Sequence, residues 1–340
     1  MARLIRTLDL FCGGGGSSWG AEAAGATVVA AVDKWDLARD SYRDNFPKAH
    51  FFLANADKLR PSMVRKAVGR RIQLILASPE CTAHTCARGN GTRSEKSRRT
   101  AFQVLKFVRS FKPRWVVVEN VIHMRSWRRY EEWLTKIQRL GYHYREQVLN
   151  AADFGVPQSR KRLFVLFDRK KQPPEIRPST KVRQKTVRNI LHLNGRFPSV
   201  DLRTPKRAKP TLERAKRAMA EIGRHRSFLI VYYGTDGAGG WQTLDLPLRT
   251  VTTLDRFAYV RPVRGGHKMR MLQVPELKRA MGFPSIFKLN HGTRRDKIRL
   301  IGNAVCPQVV SAIVRQLLKV ERNGRIDTKL FSNTDAKAPH

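Results

Sequence analysis

The sequence predicts an open α/β sheet with helices on both faces, joined to a second, smaller module. Three observations lead there. Short apolar runs rich in Val, Ile and Leu alternate with stretches of helical period over the first half of the chain. Four glycines, Gly13-Gly14-Gly15-Gly16, directly follow the first apolar run. Composition then changes at Arg169: residues 169–226 hold 18 Lys/Arg and 4 Asp/Glu, a net of +14 over 58 residues and about twice the charge density of the whole chain.

Taken in order, Leu4 to Phe11 reads as a strand and Ser17 to Ala24 as a helix that Ser17 or Ser18 caps. Val28 to Val32 is a second strand ending at Asp33, and Leu37 to Phe46 a helix. His50 to Leu53 is a third strand, ending near Asp57, and Gln73 to Ala77 a fourth. Thr100 to Phe111 is a helix stopped by Pro113, followed by a strand over Trp115 to Val118. Tyr130 to Leu140 is a helix ended by Gly141. His143 to Leu149 and Arg162 to Phe167 close the sheet as a pair. Beyond Arg169 the apolar period is weak, with one helix over Leu212 to Ile222; a solvated linker is the plain alternative for this stretch. Order returns at Phe228 to Tyr233, a helix starts at Val274, and Lys297 to Leu318 is the last strongly patterned segment. The expected division is 1–168 for the main sheet, 169–246 for the basic module, 247–320 for a remainder whose helix returns to the main sheet, and 321–340 for a frayed tail.

The 340 residues carry a net charge of +40, with 41% hydrophobic residues to fill a core. Such an excess of positive charge repels itself and points to a polyanion, nucleic acid before an anionic membrane. No apolar run approaches the roughly 20 residues that span a bilayer, and the N-terminus lacks a secretory pattern. A soluble protein of the cytoplasm is expected. The four cysteines, Cys12, Cys81, Cys86 and Cys306, form no CxxC pair, so no metal site or disulfide frame is expected.

Three polar constellations lie at strand ends, where open α/β sheets place their chemistry. Cys81 follows the apolar run Ile72 to Ala77, in Ser78-Pro79-Glu80-Cys81-Thr82. Glu119-Asn120-Val121 follows the next run, and Gln158-Ser159-Arg160-Lys161-Arg162 precedes a third. A thiol, a carboxyl and paired guanidiniums are a nucleophile, a proton donor and a clamp for an electron-rich ring. A pyrimidine reacts at carbon 5 only after something has added at carbon 6. Against this stand a structural ion pair for Glu119, phosphate contact for Arg160 and Arg162, and Cys86 as rival nucleophile. Near the glycines, Asp9, Asp33 and Asp57 each end a strand, and together they favour a nucleoside pocket. No lysine follows the glycines, which disfavours a nucleoside triphosphate.

These motifs, in this order and over nearly the whole chain, resemble those of the DNA cytosine-5 methyltransferases. The resemblance implies the class I fold of enzymes that use S-adenosyl-L-methionine, with a small target-recognition domain. It places Asp9, Phe11, Gly13, Gly15 and Gly16 around that cofactor. Asp33 matches the acid that binds ribose, Lys34 or Trp35 the residue stacked on adenine, and Asp57 the acid at the adenine amino group. Arg249 to Thr252 resembles the family's ninth motif. Asn303, Ala304 and Val305 belong to a tenth, which folds back beside the cofactor. Cys81 falls at the nucleophile, Glu119 at the proton donor, and Arg160 and Arg162 in the QxRxR motif. The implied reaction is methyl transfer to carbon 5 of a cytosine flipped out of double-stranded DNA, by a protein acting as a monomer.

The family has proline where Glu80 stands, and glutamine where Thr82 stands. A carboxylate facing the thiol would slow attack, so Glu80 is expected to turn toward a basic neighbour. Arg88, Arg93, Arg98 and Arg99 lie in a stretch resembling the loop that closes over DNA, or else in a merely solvated loop. The short, basic recognition region implies a target of two or three base pairs and salt-sensitive binding. A tRNA cytosine-5 methyltransferase, a DNA-binding protein with a decayed site, and transfer from a carboxylated sulfonium donor are the competing readings. Restriction system, solitary bacterial enzyme and phage are equally open origins.

Overall fold

A computed structural model of the chain describes residues 5–69, 71–80, 100–233 and 239–332, with side chains as far as 319. Its first layer is a sheet of seven strands: β1 (Ile5–Leu10), β2 (Ala26–Asp33), β3 (His50–Leu53), β4 (Leu74–Ala77), β5 (Trp115–Asn120), β6 (His143–Asn150) and β7 (Lys161–Asp168). Their order is β3-β2-β1-β4-β5-β7-β6. The first five run parallel, and β7 lies antiparallel between β5 and β6. The chain winds outward in one direction from β1 and in the other from β4, so the crevice between these two strands is the switch point where such sheets bind ligands.

The residues explain the layer. β4 is buried along its length, and its side chains alternate between two cores. Leu74 and Leu76 pack with Trp115 and Val117 on one face, whereas Ile75 and Ala77 pack with Val116, Val118, Leu8 and Leu10 on the other. The first face is covered by α1 (Gly16–Ala23) and the last helix, α9 (Pro307–Ser332); the second by α4 (Thr100–Phe111) and α5 (Tyr130–Gln138). The remaining helices of this half are α2 (Asp36–Asn45) and α3 (Pro61–Val68). The reading of the sequence omits α3, although Pro61 at its first turn marks a helix start. Ser17 and Ser18 do not cap α1, because Gly15 stands at the cap in a left-handed conformation and both hydroxyls are used elsewhere.

The second layer is an antiparallel sheet of β8 (Val200–Asp201), β9 (Phe228–Val231), β10 (Trp241–Thr243), β11 (Phe257–Val263) and β12 (Gly266–Met271), in the order β10-β9-β11-β12-β8. It takes strands from both sides of residue 246, because β9 pairs with β11 across that point; a boundary at 246 falls inside the sheet. The hairpin β11–β12, turning at Arg264-Gly265, is absent from the reading of the sequence. α6 (Lys209–Ile222) covers one face through Ala215 and Ala218, which meet Phe228, Ile230, Ala258 and Val260. Leu229, Val231 and Phe257, on the other face, join the core of the first layer.

α7 (Val274–Ala280) and α8 (Arg294–Asn303) lead back to α9. Glu276, fully buried, accepts two hydrogen bonds of 2.7 Å from the Arg270 guanidinium and so fixes α7 to the second sheet. α9 is helical to Ser332, past the expected start of the tail at 321. The stretch Arg294–Lys319 is long and apolar enough to cross a membrane by length and composition, contrary to the expectation from sequence, yet 72% of its apolar window is buried inside the protein.

Candidate active site

β1 ends in Asp9 and Leu10, both buried, and the chain leaves it with Phe11 at φ 58° and Gly15 at φ 97°. Asp9 accepts hydrogen bonds of 2.6 Å from Ser17 and Ser18, and Ser18 meets the Tyr42 hydroxyl at 2.7 Å. Burial pushes the Asp9 carboxyl up to about 7, against the pull of the two serines. Asp9 therefore braces the glycine loop from beneath instead of facing the crevice. The glycines divide in the same way. A Cβ at Gly15 would strike the Phe46 ring at 2.4 Å, and one at Gly16 the Val305 carbonyl oxygen at 2.2 Å. Both are glycines for close packing, whereas beside Gly13 there is open space.

Asp33, at the end of β2, accepts the backbone N–H of Gly13 at 2.9 Å and that of Trp35 at 3.0 Å. Burial raises its pKa. Arg299 of α8 stands over the Trp35 ring at 4.6 Å, so one face of the indole is taken by a cation. Asp57 is exposed beyond β3, and its carbonyl accepts a hydrogen bond from Lys106. Asn303 is exposed at the end of α8, while Ala304 and Val305 are buried and brought to the glycine loop by the contact with Gly16. A glycine loop after β1, an acid at the end of the next strand bonded to that loop, and an indole two residues on suit a nucleoside-bearing cofactor at the carboxyl end of the sheet.

On the other side of β1, Ser78 continues from β4 and donates its N–H to Leu10. The buried Asn120 amide donates to the Pro79 carbonyl at 3.1 Å. This bond holds the root of the segment that runs into Cys81, which lies outside the described residues, as do Cys86, Arg88, Arg93, Arg98 and Arg99. Glu119 shares this strand end. Its side chain is 12% exposed and stands 3.3 Å from Arg162 Nε. Burial raises its pKa, offset in part by Arg162, Arg160 and a hydrogen bond from Ser78. Glu80 is paired with the Lys34 ammonium, the basic neighbour expected for it.

Arg160 departs from the clamp role expected of it. It is 4% exposed, and its guanidinium donates to three backbone carbonyls: Val251 at 3.0 Å, Gly302 at 2.9 Å and Ala304 at 3.2 Å. It ties the residues just before β7 to the segments resembling the ninth and tenth motifs. Gln158, fully buried, does similar work, accepting from the Val251 N–H and donating to the Ala280 carbonyl. Ser159 and Thr250 complete the lacing, and Tyr233 donates to the Thr250 carbonyl. Tyr233 and Gln158 thus hold these segments together; Gln158 had a signal in the QxRxR motif, and Tyr233 had none. Cys12 and Cys306 are buried, and burial pushes the Cys306 thiol up to about 11, leaving it a poor nucleophile. Among the described residues no cluster of His, Cys, Asp and Glu suits a metal ion.

The profile of the C-5 cytosine-specific DNA methylases matches residues 5–319. Of the type II methyltransferases, M.XorII of Xanthomonas oryzae is 28% identical over 93% of this chain and 85% of its own length. M.HgiDI of Herpetosiphon aurantiacus is 35% identical over 48% of this chain and 52% of its own. Among solved structures, a DNMT2 mutant of Spodoptera frugiperda superposes with a TM-score of 0.67 at 19% identity, covering 92% of this chain and 99% of that one. The methyltransferase EhMeth of Entamoeba histolytica gives 0.68 at 18%, covering 93% and 98%. These likenesses are of fold.

Proposed function

We infer that this chain, which belongs to the C-5 cytosine-specific DNA methylase family, transfers a methyl group to carbon 5 of cytosine in double-stranded DNA. The observation that carries the reading is the Glu119 carboxyl. It is raised by burial, set against Arg162 at the end of β5, and adjacent to the Asn120-held root of the segment leading to Cys81.

The chemistry follows from these residues. The target base leaves the stack and enters the space beside Glu119. The Cys81 thiolate adds to carbon 6, and the electron pair displaced from the 5,6 double bond makes carbon 5 nucleophilic. Glu119 in its protonated form donates at ring nitrogen 3 and offsets the charge that develops there. Burial favours that protonated form. Arg162, beside Glu119, binds the exocyclic carbonyl oxygen of the base, while Arg160 keeps the frame. S-adenosyl-L-methionine, when bound, supplies the electrophilic methyl carbon. The Phe11–Gly13 backbone, Asp33, Trp35 and Asp57 are the residues that would hold it, with Asn303 at the rim. After methylation a base removes the carbon 5 proton, the double bond re-forms and the cysteine leaves.

The basic module and the second sheet, residues 169–271, then read the DNA. Its excess of cations supports binding through phosphates and a target of two or three base pairs. The test is incubation with labelled cofactor and unmodified DNA, with a parallel arm of unmodified tRNA, followed by nucleoside mass spectrometry. 5-Methylcytosine in the DNA arm supports the reading. Label confined to tRNA transfers the same chemistry to RNA, and no label in either arm rejects it.

A further inference from the structure

We propose that Lys34 and Glu80 form an ionic strap across the mouth of the cofactor crevice, retaining the occupant and linking it to the root of the segment that leads to Cys81. The inference rests on the cofactor assignment above. Lys34 is the first residue past β2, and Glu80 the third past β4. In the sheet β2 and β4 flank β1, and β1 ends in the glycine loop. An ion pair between Lys34 Nζ and Glu80 Oε1 therefore bridges one neighbour to the other past the end of β1, on the side of the glycine loop.

Both anchors are firm. Lys34 stands between Asp33, whose carboxylate holds Gly13, and Trp35, whose ring lies beneath Arg299. Glu80 follows Pro79, whose carbonyl Asn120 holds, and Ser78, whose N–H is bonded to Leu10. The strap itself is different: its side chains are 59% and 32% exposed, so water and salt weaken it. A pair of this kind opens to admit a ligand and closes again, where a buried pair would shut the crevice for good. It also accounts for a glutamate at a position where the resembling family has proline. One of only 27 acidic residues in a chain of net charge +40 is placed next to the nucleophile, and its partner comes from the cofactor side.

The experiment uses the full chain and S-adenosylhomocysteine as the probe. Its release rate is measured by stopped flow at about 0.05 M and about 1 M salt, for the native protein, Lys34→Met, Glu80→Gln and the double variant. Each single change is expected to speed release roughly three- to fivefold at low salt. The double variant is expected to release no faster than either single, and the differences should vanish at high salt. Single variants that release at the native rate, or effects that simply add, overturn the strap. A native protein that methylates DNA while the variants behave like it removes the strap alone; a native protein that binds no S-adenosylhomocysteine removes the cofactor assignment with it.

Discussion

Two regions at the same end of the sheet are built in opposite ways. The side chains of Gln158 and Arg160 are buried and spent on backbone groups of residues 251, 280, 302 and 304. Two residues on, Arg162 faces Glu119 across 3.3 Å, and both keep some exposure to the space at the strand ends. One region is a frame of buried side chains bonded to distant backbone groups; the other keeps its charges at the strand ends, where the proposed reaction uses them. The difference teaches that a motif of identical residue types, Arg-x-Arg, holds two separate tasks. A carboxyl group can be kept in an unfavourable, desolvated place only because the neighbouring frame is rigid.

The comparison breaks most readily at Glu119. Replacing it with glutamine is expected to lower the single-turnover methylation rate by about 10²- to 10⁴-fold while leaving the thermal midpoint at or above its native value. The sign with pH is fixed by the raised pKa of Glu119. The protonated form is the donor, so the rate falls as pH rises through that pKa, and the glutamine variant should lack this limb in a pH–rate profile. An unchanged rate would move Glu119 to the frame.

Next comes the pair of arginines. Arg160→Ala leaves three buried carbonyls without their donor and should cost about 3 kcal/mol of stability in denaturant titration. Arg162→Ala should cost about 1 kcal/mol or less, yet reduce the rate at saturating cofactor and DNA. Equal losses of stability for the two variants would erase the distinction between the two regions.

The smallest effect concerns the brace under the glycine loop. The Asp9 carboxyl rises from an ordinary 3.8 to about 7 on folding, so the folded state holds its proton more tightly. Its contribution to stability is therefore fully present below about pH 4 and is lost as pH rises toward 7. Asp9→Asn should flatten the fall in stability between those values, measured as denaturant midpoints over a pH series. A slope unchanged by the substitution would place the proton elsewhere.

Much of this was legible in the sequence, and what was not has physical causes. The parallel strands announce themselves because both faces are buried, so Leu74 to Ala77 and Trp115 to Val118 are unbroken apolar runs. β11 and β12 hide because Arg261, Lys268 and Arg270 interrupt the apolar pattern. Motif order gave Glu119 and Arg162 their neighbourhood, but it gave no means of telling Arg160 from Arg162. That depends on carbonyls 91 to 144 residues away. Likewise the glycine run was readable as a loop, while the cause of Gly16, a backbone carbonyl from Val305 pressing on it, needs the fold.

The most direct test of the central claim is covalent capture. The native chain and Cys81→Ser are each incubated with S-adenosylmethionine and a duplex containing 5-fluorocytosine, then resolved under denaturing conditions. The account predicts a protein–DNA adduct for the native chain and none for the serine variant; an adduct of equal yield from both proteins would contradict it.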